Sequence, residues 1–225
     1  MLISLSGVER RFTSGEIETA ALRAIDLDIA EGEFVAIMGP SGCGKSTLLN
    51  VLGTLDRPSA GKYIFKDFAV HELPEKRLAQ LRRQHIGFIF QSFNLIDELT
   101  IEENVALGLR YRGGAEQRKT IADAMERVGI THRARHYPHQ LSGGQQQRAA
   151  IARAIVGKPE IVLADEPTGN LDTENGEQVM ELLSELNSEG TTIVMVTHSP
   201  RHADVAKRTV NMLDGRVLLC STRAL

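Results

Sequence analysis

The sequence predicts an α/β protein: an open, mainly parallel sheet wound with helices, preceded by an antiparallel β layer and interrupted by a helical insert. Three observations predict it. Four short apolar runs, at residues 34–38, 86–90, 161–164 and 193–196, lack the alternation of a half-solvated strand and read as central parallel strands. Helical patterns lie between them, the alternation of a doubly wound sheet. A loop of the form G-x-x-x-x-G-K-[ST] follows the first run and leads directly into an apolar helix, the strand, loop, helix order of a phosphate-gripping turn.

The elements follow in chain order. Leu2, Leu5 and Val8, then Leu22, Ile25, Leu27 and Ile29, alternate around a polar stretch at residues 13–19, which predicts an antiparallel strand pair. After the run 34–38 come helices at 47–52 and 78–83, and Ile121, Met125 and Val128 recur at spacings of four and three. Residues 95–141 show helical periodicity without a strand, with Gly113-Gly114 as a break inside the segment 110–119, and read as a helical subdomain inserted in the core. A helix is expected over 146–156. Residues 210–213 and 217–219 flank Asp214-Gly215, a hairpin signal. There is no internal repeat, so one domain is expected over 1–225, its α/β core and β layer at about 1–94 and 142–225 and its helical subdomain at about 95–141.

Composition bounds the activity. With 42% apolar and 24% charged residues, 225 residues support one ordinary core that buries roughly 70% of the unfolded surface. Twenty-six basic against 29 acidic residues give a net charge of −3, which argues against sequence-independent nucleic-acid binding. Any anion must be gripped locally. Two cysteines, Cys43 and Cys220, cannot build a disulfide framework, and neither a signal peptide nor an 18-residue apolar run is present, so a cytoplasmic chain that does not span the bilayer is expected.

The loop is Gly39, Pro40, Ser41, Gly42, Cys43, Gly44, Lys45, Ser46, followed by Thr47. Its glycines let successive N–H groups point at phosphate oxygens, and the following helix adds its positive end. Lys45 supplies a point charge for the β- and γ-phosphates, and the Ser46 hydroxyl a ligand for Mg²⁺. Thus ATP with Mg²⁺ is the expected ligand. The run 161–164 ends in Asp165-Glu166, at the sheet edge where open α/β folds keep their ligands. Asp165 is expected to hold Mg²⁺ and Glu166 to deprotonate the attacking water. An acid pair after a strand is weak alone; joined to a phosphate loop it is strong.

His198 follows the run 193–196, and Gln91 the run 86–90, on that same edge. Alone, each would more often be structural. With the loop and acids beside them, His198 is placed to bond a γ-phosphate oxygen or the water, and Gln91 to meet metal or water. Leu141, Ser142, Gly143, Gly144 and Gln145 precede the helix 146–156; Ser142 is a plausible cap, and the two glycine N–H groups make a second anion site at a helix start.

With these four elements in this order, the sequence resembles the nucleotide-binding subunit of ABC transporters, a P-loop ATPase, over about residues 2–219. The resemblance implies that 141–145 is the signature motif, which grips the γ-phosphate held by a partner's P-loop, so that two copies pair head to tail around two ATP molecules. It places the adenine-stacking aromatic at Phe12 and the residue that reports across the dimer at Asp172, in Asn170-Leu171-Asp172. The segments 90–95, 100–105 and 165–172 are similar to the subgroup of macrolide-export, lipoprotein-releasing and cell-division ATPases. That implies a cytoplasmic ATPase on the inner face of the membrane, a separate permease contacted through residues 91–105 and the helical subdomain, and a periplasmic adaptor reached through that permease. A regulatory switch on a cell-wall enzyme would use the same engine without moving a solute. ABC ATPases of DNA repair or translation fit less well, because only about a hundred residues separate Lys45 from Ser142 and the chain carries one cassette.

Overall fold

The computed structural model describes residues 1–15, 17–109 and 117–222. The Gly113-Gly114 break and the Cys220 side chain lie outside what is described. Two sheets form. Strands β1 (Ile3–Ser14), β2 (Ile17–Ile29), β4 (Ala60–Phe65) and β5 (Phe68–Ala69) make an antiparallel sheet in the order β2-β1-β4-β5. Strands β3 (Phe34–Met38), β6 (Ile86–Phe90), β7 (Ile161–Asp165), β8 (Thr192–Val196), β9 (Arg208–Leu213) and β10 (Arg216–Thr222) make the second, in the order β10-β9-β3-β8-β7-β6. All its neighbouring pairs are parallel except β9 with β10.

The four apolar runs are therefore the four parallel strands expected. Their residues alternate between two cores: Ala36, Ile89, Val162, Ala164, Ile193 and Met195 face one side of the sheet, and Val35, Ile37, Ile161, Leu163, Val194 and Val196 the other. Helices α3 (Ile101–Ala106), α4 (Gln117–Arg127), α5 (Gly143–Ile155) and α6 (Thr173–Ser188) cover the first face. Helices α1 (Lys45–Leu52) and α2 (Glu75–His85), with the antiparallel sheet, cover the second. Burial on both faces explains why these strands are apolar throughout.

Several elements differ from the sequence reading. The strand pair consumes most of the polar stretch: β1 runs to Ser14 and β2 begins at Ile17, with Phe12 opposite Thr19, because cross-strand pairing tolerates polar residues where neither face is buried. Strands β4 and β5 and helix α6 carry no motif and were not anticipated. Helix α6 is nonetheless well specified, since Asp172 caps it and Val179, Met180, Leu182, Leu183 and Leu186 form its buried stripe. The tail hairpin does more than pair with itself, because β9 extends the main sheet beside β3. Parallel strands bring their C-terminal ends to one edge, so the segments after β3, β6, β7 and β8 all emerge together there.

Candidate active site

The loop after β3 is held by neighbours that leave no room for a side chain at Gly39 or Gly44. Gly44, at φ 102°, caps α1, and a Cβ there would lie 2.5 Å from the backbone oxygen of Ala21 on β2. The Gly215 amide, in the β9–β10 turn, donates to the Cys43 carbonyl at 3.0 Å. Lys45 is folded back over its own loop, donating from Nζ to the carbonyls of Gly39 at 2.8 Å and Pro40 at 2.9 Å, and is only 8% exposed. Its ammonium is thus kept at the mouth of the loop by bonds that phosphate oxygens, being charged acceptors, outcompete. Cys43 is buried, its Sγ 4.0 Å from that ammonium.

The acid pair arrives from β7. Ser46 donates from Oγ to Asp165 Oδ1 at 3.3 Å, bringing together a hydroxyl and a carboxylate 119 positions apart in sequence. Burial pushes the Asp165 carboxyl above its ordinary value; the Ser46 bond and the Lys45 charge oppose the shift, and Glu166 adds to it. An anion so poorly compensated is stabilised by a cation. Among the described residues no cluster of three or more His, Cys, Asp or Glu side chains could cage a metal. A metal here would take two hard protein oxygens and complete its shell from water and phosphate, which is the habit of Mg²⁺. The residues fit that ion.

Glu166 lies at φ 47°, a left-handed conformation costing on the order of 1–3 kcal/mol for a non-glycine residue. Its amide donates to the Val196 carbonyl on β8, and its carbonyl accepts from the Gly169 amide, each at 3.0 Å. Those bonds aim the side chain back over the sheet edge, where Oε2 lies 2.5 Å from His198 Nδ1. His198 therefore meets Glu166 directly. Gln91, at the end of β6, donates from Nε2 to Asn170 Oδ1 at 3.3 Å, and Asn170 Nδ2 returns a bond to the Gln91 carbonyl at 2.9 Å. Ser41, Lys45, Ser46, Gln91, Glu166 and His198 together line a cleft of about 480 Å³, whose wall includes Gly42, Gly44, Thr47 and Ala21 of β2. Phe12 does not line it. Its ring is 42% exposed on β1, with the Arg10 guanidinium 4.4 Å from the ring centre.

The segment 142–145 also lies outside the cleft. Ser142 caps α5 reciprocally with Gln145: Gln145 N donates to Ser142 Oγ at 3.4 Å and Ser142 N to Gln145 Oε1 at 3.2 Å. Gly144 packs against α6 so tightly that a Cβ would lie 2.2 Å from Asn175 Oδ1. Asn175 Nδ2 in turn bonds both carboxylate oxygens of Asp172, at 2.9 and 2.8 Å, and its backbone and side-chain bonds hold the Asp172 carboxyl below its ordinary value. A Cβ at Gly143 would come within 3.6–3.7 Å of Asn170, Leu171 and Phe93. The structure thus makes two groups: the loop, acids, His198 and Gln91 around one cleft, and residues 142–145 with Asp172 on a second face.

Of the bracing residues, Asn175, Gln147 and Arg153 were given no role from the sequence, and Asn170 appeared only as a neighbour of Asp172 in its motif. Only Asn175 left a trace, three residues after the cap Asp172. Gln147, fully buried on α5, donates to the Pro167 carbonyl at 2.5 Å, tying that helix to the segment after Glu166. Asn104 on α3, also fully buried, binds both backbone groups of Ile96 and the Leu99 and Thr100 carbonyls, fixing the segment that follows Gln91. Glu103, in that segment, reaches back to the Thr100 amide at 2.8 Å as part of an N-terminal cap. A second depression, of about 680 Å³, opens between α2 and the end of α3; Leu55, Phe88, Phe90, Leu107 and Arg153 contribute to its lining.

Known proteins share this architecture. The ABC transporter family model matches residues 22–169. The chain is 47% identical over 223 residues to an uncharacterized ABC transporter ATP-binding protein, YknY, of Bacillus subtilis, covering 98% of this chain and 97% of that one. It is 52% identical over 219 residues to the macrolide export ATP-binding/permease protein MacB 1/2 of Paracoccus denitrificans, covering 96% of this chain but 33% of that one. The chain thus spans about a third of the length of the macrolide export relatives it matches. A solved ATP-binding cassette, MJ0796, dimeric in a post-hydrolysis state bound to ADP and Pi, superposes with a TM-score of 0.92 over the whole of both chains at 44% identity.

Proposed function

Because this chain belongs to the ABC transporter family, we propose that it is the ATP-hydrolysing subunit that drives a separate membrane permease of the macrolide-export or lipoprotein-release type. The observation that carries the reading is the convergence of Lys45, Ser46, Asp165, Glu166 and His198 on one cleft, while residues 142–145 face elsewhere. One copy holds the phosphates; a second copy supplies the segment that covers them. Head-to-tail pairing satisfies both faces with a single two-fold axis.

Residue by residue, the loop amides of 39–46 and the start of α1 hold the phosphates, and Lys45 exchanges its two loop carbonyls for phosphate oxygens. Ser46 and Asp165 hold Mg²⁺, with Gln91 beside them. Held there, that ion would supply positive charge against the negative charge that develops in phosphoryl transfer. Glu166 takes the proton of the attacking water, and His198, bonded to its Oε2, fixes the carboxylate. Ser142, Gly143, Gly144 and Gln145 of the second copy close on the γ-phosphate, Phe12 stacks on the adenine, and Asp172 signals between copies.

The chain acts as one domain, with the core at about 1–94 and 142–225 and the helical subdomain at about 95–141. Among the described residues no helix is long and apolar enough to cross a membrane. The permease seats in the depression beside α2 and along residues 91–105, placing this subunit on the cytoplasmic face, with any periplasmic adaptor reached through the permease. The test is Glu166→Gln in the purified chain. Removing the base costs about 10²–10⁴-fold in kcat. MgATP should still bind and should now hold the protein as a dimer on a sizing column. A variant that turns over like the parent would remove Glu166 from its role.

A further inference from the structure

One guanidinium, that of Arg153, sits where the turn after β6, helix α5 and the depression beside α2 meet. Gln91 reaches the cleft at the end of β6, and within two residues the chain must turn away toward α3. It does so through Phe93 at φ 61° and Asn94 at φ 50°, two consecutive non-glycine residues in the left-handed region. A bulky side chain such as that of Phe93 disfavours this conformation, and a run of two is rarer still. Their own backbone bonds do not lock it: the Phe93 amide donates to Phe90 O at 3.1 Å and the Asn94 amide to Ser92 O at 2.6 Å, both within the turn. What crosses to the turn from outside is Arg153, whose NH2 group donates to the Phe93 carbonyl at 2.7 Å and whose NH1 group donates to the Asn94 carbonyl.

Arg153 belongs to α5, the helix that begins at Ser142. It is half-buried, burial pulls its pKa below the ordinary arginine value, and among the described residues no carboxylate pairs with it. A planar fork that meets two successive carbonyls is a geometry that lysine does not reproduce. The same side chain lines the depression beside α2, together with Asn94. An occupant of that depression therefore contacts the fork and the turn it holds.

We infer that Arg153 is a positioning residue for ATP hydrolysis: through the Phe93 and Asn94 carbonyls it holds the left-handed turn that aims Gln91 into the phosphate cleft, and it ties that turn to the signature helix. This rests on the ATPase reading above for its catalytic consequence, but not for its structural one. Arg153 does not line the phosphate cleft, so its loss acts on the placement of Gln91 and leaves the P-loop intact.

The experiment compares Arg153→Met and Arg153→Lys with the parent, reading steady-state MgATP hydrolysis and backbone amide exchange. Arg153→Met should lower kcat about tenfold with KM for MgATP within twofold, because the phosphate loop is untouched. Arg153→Lys, which keeps the charge but not the fork, should fall between. Exchange in the peptide covering residues 91–95 should quicken at least tenfold in Arg153→Met while the peptide covering 39–46 is unchanged. Adding Asn94→Gly, which takes the left-handed conformation without strain, should restore part of the lost kcat. Unaltered exchange at 91–95, or a loss expressed in KM rather than kcat, overturns the inference. If Arg153→Met does not fold, Arg153→Lys decides on the same two measurements. A parent chain that hydrolyses no ATP would sink the ATPase reading alone, because the exchange measurement still tests the strut.

Discussion

Adding one methyl group at Gly144 tests whether the second face is built as tightly as its geometry indicates. The Cβ of Gly144→Ala would lie 2.2 Å from Asn175 Oδ1, 2.5 Å from its Cγ and 3.1 Å from its Cβ. Asn175 cannot swing aside freely, since its amide bonds both oxygens of Asp172. Overpacking of this kind costs roughly 1–3 kcal/mol. Alanine within a helix returns about 0.5–1 kcal/mol relative to glycine. The net loss is about 0–2.5 kcal/mol, a Tm lower by up to about 10 °C for a chain of this size. Residues 142–145 do not line the cleft, so MgATP should bind the monomer as before, while MgATP-driven dimerisation of a Glu166→Gln background weakens. The decisive comparison is the same substitution in Asn175→Ala, which removes the two closest atoms. There the penalty should shrink by at least about 1 kcal/mol, beyond the roughly 0.5 kcal/mol scatter of additive pairs. Equal penalties in both backgrounds would show that the contact is not what Gly144 serves.

Two further outcomes are expected elsewhere in the chain. Phe12→Ala should raise KM for MgATP about two- to tenfold, the worth of one aromatic stacking contact, with kcat nearly unchanged and Phe12→Tyr close to the parent; an unchanged KM would remove Phe12 from the nucleotide. Away from the site, Glu160 bonds His85 Nδ1 at 2.8 Å and pairs with Lys66; burial pushes its carboxyl up, but the Lys66 and His85 bonds outweigh that and hold it below the usual glutamate value of 4.5. A depressed carboxylate stabilises the fold above its unfolded pKa, and that contribution fades as pH drops through the lower folded value. Melting curves taken between about pH 3 and 7 should therefore steepen on the acid side for the parent and flatten for Glu160→Gln, and parallel curves would refute the assignment.

What the sequence disclosed and what it hid have a common physical reason. Gln91, Asp165, Glu166 and His198 stand at or within two residues of the ends of apolar runs, and Lys45 lies in the loop that follows another; parallel strands carry every run to the same edge, so nearness in sequence was enough to assemble the cleft. Their mutual bonds were only partly legible: Ser46 with Asp165 follows from shared metal chemistry, whereas the contact of His198 with Glu166 depends on the left-handed backbone at Glu166, which no residue type announces. The bracing side chains were invisible for a further reason. Gln147 and Arg153 bind main-chain carbonyls, of Pro167 and of Phe93 and Asn94, and every residue has a carbonyl, so the partner side of such a bond leaves no mark in composition or spacing. Both come from α5, at positions six residues apart, and each reaches a different segment entering the cleft. The helix that starts at the signature is in this way bonded to the segment after Glu166 and to the turn after Gln91. On the proposed head-to-tail pairing, a displacement of α5 would be transmitted to both segments through the backbone carbonyls of 93, 94 and 167.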